Sequence, residues 1–300
     1  MEMDDPDGLL TLIDKRSADS RTAATLVSFD SEVSELKDAN IDMHFYIRIA
    51  KNLVDKEKSD EVQKTVPRNP FMPPFETGLL VAECGDHHRL LLNKFNLVDR
   101  HVLLVTNEFV PQNSSLTQEL LTQLIMCIVS INGLAFHNFG EHSGASQPHL
   151  HVQVIPRFQS ELIRDAPLSQ LIAKSAATGD RLRTPSVISA LPFKHLVVCF
   201  GEGEFNINVV ERFYRSMLLE LDVNTDSSYS FLLTVDYMMI VPRSSSSHDG
   251  IGLNSLAYAG FIFLKGEQQL QTLHNIGGPS ILLTHLAFPT SKSLSTNTHL

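Results

Sequence analysis

From residue 78 onward the chain sets short apolar runs between turn residues. "GLLVAEC" (78–84), "RLLLNKF" (89–95) and "HVLLVTNEF" (101–109) are each of strand length, and "NLVDR" turns the second into the third. The period then changes. Leu121, Leu124, Ile125 and Ile128 recur at i, i+3, i+4 and i+7, which predicts an amphipathic helix. Ser115 caps it, Gln118 completes a capping box, and Gly133 marks its end. A strand "LAFHNF" (134–139), a loop "GEHSGASQP" and a strand from His149 to Ile155 follow. The second half partly repeats this pattern. It has a strand "KHLVVCF" (194–200), a helix "NVVERFYRSMLLEL" (208–221) with Val210, Phe213, Met217 and Leu221 on one face, and strands "YSFLLTV" (229–235) and "YMMIVP" (237–242).

The recurrence predicts two related lobes, residues 1–160 and 161–290, and a flexible Ser/Thr-rich tail over 291–300. Other stretches carry weaker signals. Residues 1–40 are mixed polar sequence with little periodicity, and "DMHFYIRIAKNL" (42–53) holds a candidate strand. Residues 56–75 are charged and then Pro-rich, as in an arm over the surface. "KSAATGDRLRTP" (174–185) reads as a linker or exposed loop.

Composition narrows the class. With 300 residues, 43% of them apolar, the chain can bury one large core or two smaller ones. A formal net charge of -10 excludes a broad basic surface for nucleic acid. A polyanionic small molecule needs only a few local donors and stays open. Cys84, Cys127 and Cys199 are far apart and form no CxxC, which argues against a disulfide framework and a thiolate zinc site. The acidic start "MEMDDPDGLL" lacks the features of a signal peptide, and no apolar run approaches the ~18 residues of a membrane span. The expectation is a soluble, cytoplasmic monomer with no membrane partner.

The stretch with candidate chemistry is "GASQPHLHVQVIP" (144–156). Side chains alternate across a strand, so His149, His151 and Gln153 share one face and Leu150, Val152 and Val154 the other. Three readings fit that face: a half-exposed strand that happens to hold histidines, a metal site with ligands at i and i+2, or a phosphate site. The preceding loop favours the third. Gly144, Ala145 and Ser146 are small, and successive backbone N–H groups in such a loop form an anion nest. A neutral imidazole beside it is a competent nucleophile.

"HNFGEHSGASQPHLHVQVIPR" (137–157) resembles the signature of the histidine-triad (HIT) superfamily, and "LLLNKFNLVDRHVLLVT" (90–106) resembles that superfamily's earlier hairpin. The nearer resemblance is to one branch, the diadenosine tetraphosphate phosphorylases or ATP adenylyltransferases, where Gln replaces the third His and the loop reads GASQPH. "NPFMPP" (69–74), "FLLTVDYMMIVPRS" (231–244), "LNSLAYAGFIFLK" (253–265) and "IGGPSILLTHLAFP" (276–289) extend it over roughly residues 40–290. Leu150 departs from the Lys often found between the two histidines, at a position facing away from the site.

The resemblance implies an α+β, HIT-like, galactose-1-phosphate uridylyltransferase-like fold with two related lobes of antiparallel sheet packed by helices. It implies phosphorolysis of diadenosine tetraphosphate to ATP and ADP, reversible as adenylyl transfer. The ligands are then dinucleoside polyphosphates, ATP, ADP and phosphate. His151 would be the nucleophile, His149 would position the site, and Gln153 would hold a phosphate oxygen. Gly144, Ala145, Ser146 and Gln147 would wrap the phosphates. Asn93 would contact the ribose and Asn138 the phosphates. Lys94 and Lys56 are candidate phosphate cations, and Phe71 a candidate adenine contact that also fits a core position. His101, His137 and His195 read as structural. The sequence requires no cofactor, although a divalent cation (Mg2+ or Mn2+) is compatible with the chemistry. A sugar-1-phosphate nucleotidylyltransferase, a dinucleoside polyphosphate hydrolase and a non-catalytic nucleotide sensor remain alternatives at this point.

Overall fold

A computed structural model describes residues 6–28, 31–50, 69–96 and 98–290. Its strands are β1 (Ser31–Lys37), β2 (His44–Ala50), β3 (Leu80–Cys84), β4 (His88–Leu92), β5 (Val102–Thr106), β6 (Gly133–Phe139), β7 (His151–Pro156), β8 (Leu196–Cys199), β9 (Tyr229–Leu233), β10 (Tyr237–Pro242) and β11 (Phe261–Leu264). Its helices are α1 (Pro6–Thr22), α2 (Gln118–Ile131), α3 (Pro167–Ala177), α4 (Ile207–Glu220), α5 (Glu267–Ile276) and α6 (Pro279–Leu286). Shorter pieces complete it.

The centre is an eight-stranded sheet in the order β8-β10-β9-β6-β7-β5-β4-β3, antiparallel throughout. Strands of both halves of the chain join edge to edge where β6 pairs with β9, with Phe136 opposite Leu232 and Asn138 opposite Ser230. One face holds Leu104, Ala135, Leu150, Val152, Val154 and Val198 and packs under α1, α2 and α4. The other holds Leu134, Phe136, Ile155, Leu232 and Met239 and meets β2, β11, α3 and α6. The architecture is α+β, antiparallel sheet packed by helices, as the resemblance implies. A smaller sheet joins the two ends of the chain, since β2 pairs antiparallel with β1 and parallel with β11.

Several local expectations change. Thr117, not Ser115, caps α2: its hydroxyl accepts from the Leu120 N–H at 3.2 Å. The helix ends at Asn132 in the left-handed region, φ 44°. Gly133 already belongs to β6, where a Cβ would lie 2.6 Å from Val154 Cγ1. On α4 the buried positions are Val210, Tyr214 and Met217, because Tyr214 takes the inner position assigned to Phe213. α1 escapes the apolar pattern because its inner stripe, Leu9, Ile13, Ser17 and Ser20, is half serine. The segment read as a linker from 174 begins inside α3, which buries Leu168, Leu171, Ile172 and Ser175. Most of the 56–75 arm, with Lys56, and the tail from 291 lie outside the described residues.

Candidate active site

The β5 and β7 ladder sets the register of the polar face, with Leu103 opposite Gln153 and Val105 opposite His151. On the other side β6 follows β7 only as far as Phe136 and Gln153. Beyond that point the strands part, and the buried amide of Gln112 takes over the missing rungs. Gln112 Oε1 accepts from the His151 N–H at 2.8 Å. Its Nε2 donates to the carbonyls of His151 at 3.2 Å and Asn138 at 3.0 Å. His137 lies behind the strand and donates through Nδ1 to the His151 carbonyl at 3.0 Å. Parting two strands and refilling the gap with a side chain fixes the backbone of His151 without closing off its side chain.

Hydrogen bonds set opposite tautomers on the two motif histidines. His151 Nδ1 lies 2.8 Å from the His149 carbonyl, so Nδ1 carries the proton and Nε2 the lone pair. His149 Nε2 faces the Thr106 carbonyl at 3.0 Å and the Thr106 hydroxyl at 2.8 Å. That hydroxyl donates onward to the Glu108 carbonyl, so His149 carries its proton on Nε2. His149 Nδ1 accepts from Asn69 Nδ2 at 2.8 Å. Both ring nitrogens of His149 are thus occupied, while no protein group binds His151 Nε2 among the described residues. Burial pushes the His151 pKa down to about 4, and it lowers that of His149 as well. Both rings are neutral at pH 7.

Gln153 is oriented by a residue the sequence reading took as structural. His101 Nε2 donates to Gln153 Oε1 at 3.0 Å. Asn93 Nδ2 donates to His101 Nδ1 at 3.2 Å. An amide whose oxygen is held this way turns its NH2 group outward as a donor. Burial pushes the His101 pKa down to about 4, so the ring stays a neutral one-donor relay. Asn93 therefore belongs to the cluster through His101. Sequence reasoning missed His101, Thr106, Gln112 and the role of Asn69. For His101, Thr106 and Asn69 the signal available was their place in the quoted hairpin and "NPFMPP"; Gln112 lies in neither, and pattern alone does not show cross-strand partners.

The loop gives a matching surface. None of the backbone N–H groups of Gly144, Ala145, Ser146 and Gln147 has a protein acceptor among the described residues, and Ser146 is exposed. These groups can bind an anion as a nest. Asn138 is buried, and its Oδ1 accepts from the Ser255 N–H at 2.8 Å, which ties the loop's start to the second half of the chain. Phe71 is 6% exposed. Its ring centre lies 4.9 Å from that of His151 and 5.7 Å from that of His149, a wall of the site as much as a core residue. Lys94 Nζ is held by the Glu76 carboxylate at 2.7 and 2.9 Å, so its charge is already met. Among the described residues no group of three His, Cys, Asp or Glu is arranged to hold a metal ion. Nor is any helix long and apolar enough to cross a membrane.

The chain is similar to known proteins in both sequence and fold. The family model described as Ap4A phosphorylase N-terminal domain matches residues 2–174, and the one described as ATP adenylyltransferase C-terminal domain matches residues 189–289. Diadenosine 5',5'''-P1,P4-tetraphosphate phosphorylase 2 of Saccharomyces cerevisiae is 27% identical over 273 residues, 81% of this chain and 83% of that protein. Protein APA1 of the same yeast is 27% identical over 300 residues, 88% of each chain. The crystal structure of yeast Ap4A phosphorylase Apa2 in complex with Ap4A superposes with a TM-score of 0.78 at 26% identity, over 94% of this chain and 98% of that one.

Proposed function

The chain belongs to the family of Ap4A phosphorylases and ATP adenylyltransferases and is a nucleotidyltransferase; we propose that it splits diadenosine tetraphosphate with phosphate through a nucleotidyl-His151 intermediate. The overall reaction is AppppA plus phosphate to ATP plus ADP, and it runs in reverse as adenylyl transfer. The observation that carries the mechanism is the 2.8 Å bond from His151 Nδ1–H to the His149 carbonyl. It leaves the Nε2 lone pair as the nucleophile.

In the first step Nε2 bonds to the α-phosphorus, the bond from phosphorus to the bridging oxygen breaks, and ATP leaves with the electron pair. In the second step an oxygen of inorganic phosphate attacks the same phosphorus, the N–P bond breaks, and ADP leaves while Nε2 regains its lone pair. Charge on the non-bridging oxygens grows in each transition state. In this proposal the NH2 of Gln153, whose oxygen His101 holds, and the N–H groups of the 144–147 loop meet that charge. Thr106 and Asn69 clamp His149, which in turn offers its carbonyl to His151. In this proposal residues 1–160 supply the reacting groups, and residues 161–290 form a lobe that backs the loop.

Gln153 cannot exchange a proton at neutral pH, so it assists phosphorus without activating water. Gln153→His is therefore expected to shift the intermediate from phosphate toward water, read as the ratio of ADP to AMP formed. An unchanged ratio removes Gln153 from acceptor choice. The function itself is tested by incubating the protein with diadenosine tetraphosphate with and without phosphate. ATP and ADP formed only with phosphate support it. ATP and AMP without phosphate would mark a hydrolase, and tight binding without turnover a sensor.

A further inference from the structure

Arg243 follows β10 and is 1% exposed. Among the described residues, all the hydrogen bonds of its guanidinium go to neutral oxygens. Nε donates to the Leu286 carbonyl at 3.1 Å. Nη1 donates to Ser230 Oγ at 3.1 Å and the Ser143 carbonyl at 3.4 Å. Nη2 donates to the carbonyls of Ser245 and Leu253, both at 2.9 Å. The Tyr258 ring centre lies 5.2 Å from its Cζ. No carboxylate pairs with it among the described residues. A buried charge without a counter-charge is costly, and a guanidinium does not escape by losing its proton. An internal carboxylate would be the simple remedy, and none serves among the described residues.

The bonds converge on one place. Ser143 immediately precedes the 144–147 loop, and the Leu253 carbonyl that accepts from Arg243 also backs that loop. Gly144 has φ +82°, and a Cβ there would lie 2.8 Å from the Leu253 oxygen. The turn that leads into the loop is seated on the same half of the chain. The His142 N–H donates to Ser228 Oγ at 3.0 Å, and the Arg243 N–H to the Ser228 carbonyl at 2.7 Å. The reacting histidines and the loop thus come from one half of the chain, and the cation behind the loop from the other.

We propose that Arg243 is a positioning residue of the phosphate loop, clamping Ser143 to the 245–253 segment and holding a positive charge that only the bound polyphosphate neutralises. This rests on the reading of 144–147 as a phosphate loop. It requires two separable effects. The five-donor fork sets the loop geometry, which acts on kcat. The charge acts on affinity in proportion to ligand charge.

The test is calorimetric binding of AMP, ADP and ATP to the full chain, with phosphorolysis kinetics, for wild type, Arg243→Gln and Arg243→Lys. In Arg243→Gln, affinity is expected to fall by about threefold more for each added phosphate, so that ATP suffers about tenfold more than AMP. The salt dependence of ATP binding flattens in parallel. Arg243→Lys keeps the charge and loses the fork, so the AMP-to-ATP gradient persists while kcat drops and KM holds. A folded Arg243→Gln protein that weakens all three nucleotides equally, or none, overturns the proposal. If the Gln variant does not fold, a folded Lys variant with wild-type kcat overturns the clamp. Failure of both variants to fold makes Arg243 a folding element only, which also overturns it. A wild-type protein that binds none of the three would instead sink the phosphorylase reading.

Discussion

His151 on β7 and His195 at the entry to β8 are held alike. Each donates through Nδ1 to the carbonyl two residues earlier, of His149 and of Phe193, at 2.8 Å. Both are buried, and burial pushes each pKa down to about 4. Each ring leans on a phenylalanine, Phe71 at 4.9 Å and Phe193 at 5.6 Å between ring centres. The difference is at the far nitrogen. His195 Nε2 accepts from the Ile188 N–H at 2.8 Å, so the ring joins a loop to the sheet. His151 Nε2 meets no protein donor among the described residues. One local arrangement therefore serves architecture in one half of the chain and, in the proposed mechanism, nucleophilic chemistry in the other. The occupant of Nε2 decides between them.

Breaking that comparison at its reactive end has the largest expected effect. His151→Asn keeps a donor near the Nδ1 position and removes the nucleophile. Turnover should fall by about 10^4-fold or more, with unfolding free energy changed by no more than about 1 kcal/mol. Retained turnover, measured as ATP release, would place the nucleophile elsewhere. His101→Phe comes next. It releases the Gln153 amide, and kcat should fall by about 10- to 100-fold, with KM little changed. Equal losses in binding and turnover would show that His101 does not act through Gln153.

His195→Ala inverts the pattern. It leaves the Ile188 N–H and the Phe193 carbonyl unpaired in the interior and should destabilise by about 2–4 kcal/mol in urea unfolding. Activity per folded molecule should stay within about threefold of wild type. A large loss of kcat in a folded protein would end the comparison.

Acid titration should make the two histidines alike again, with the smallest effect. Burial holds His101, His151 and His195 near pKa 4 and His137 near 3. The unfolded chain binds protons at these residues near the ordinary value of about 6.5. Between those values the unfolded state carries more protons, so stability is full above pH ~6.5 and declines as pH falls toward 4. Either His151→Asn or His195→Ala should flatten that decline by a similar amount. Activity should keep an unprotonated nucleophile down to about pH 4 to 5, and an acid limb centred near 6.5 would contradict the buried setting of His151.

The comparison also separates what pattern reveals from what it hides. The β3–β7 run and α2 were legible because apolar period and turn residues coincide there. α1 was hidden by serines at Ser17 and Ser20 on its inner stripe. The polar face of β7 was visible from alternation alone, and the family resemblance rested on "GASQPHLHVQVIP". His101 looked structural because its partner Gln153 is 52 positions away and is brought near by the β5 and β7 register. Arg243 lies 100 positions from Ser143, so nothing local ties it to the loop.

By itself the sequence determined the chemical kit: two histidines and a glutamine on one strand face, behind a loop of small residues. Side-chain alternation and the steric freedom of Gly144 are local properties, and they survive any arrangement that keeps the strand. Tertiary structure decided which ring nitrogen of His149 is protonated, that the far nitrogen of His151 is left free, which way the Gln153 amide points and where a lone cation is buried. Those choices depend on donors and acceptors from distant segments and on exclusion of water, and neither exists until the sheet has closed over the site.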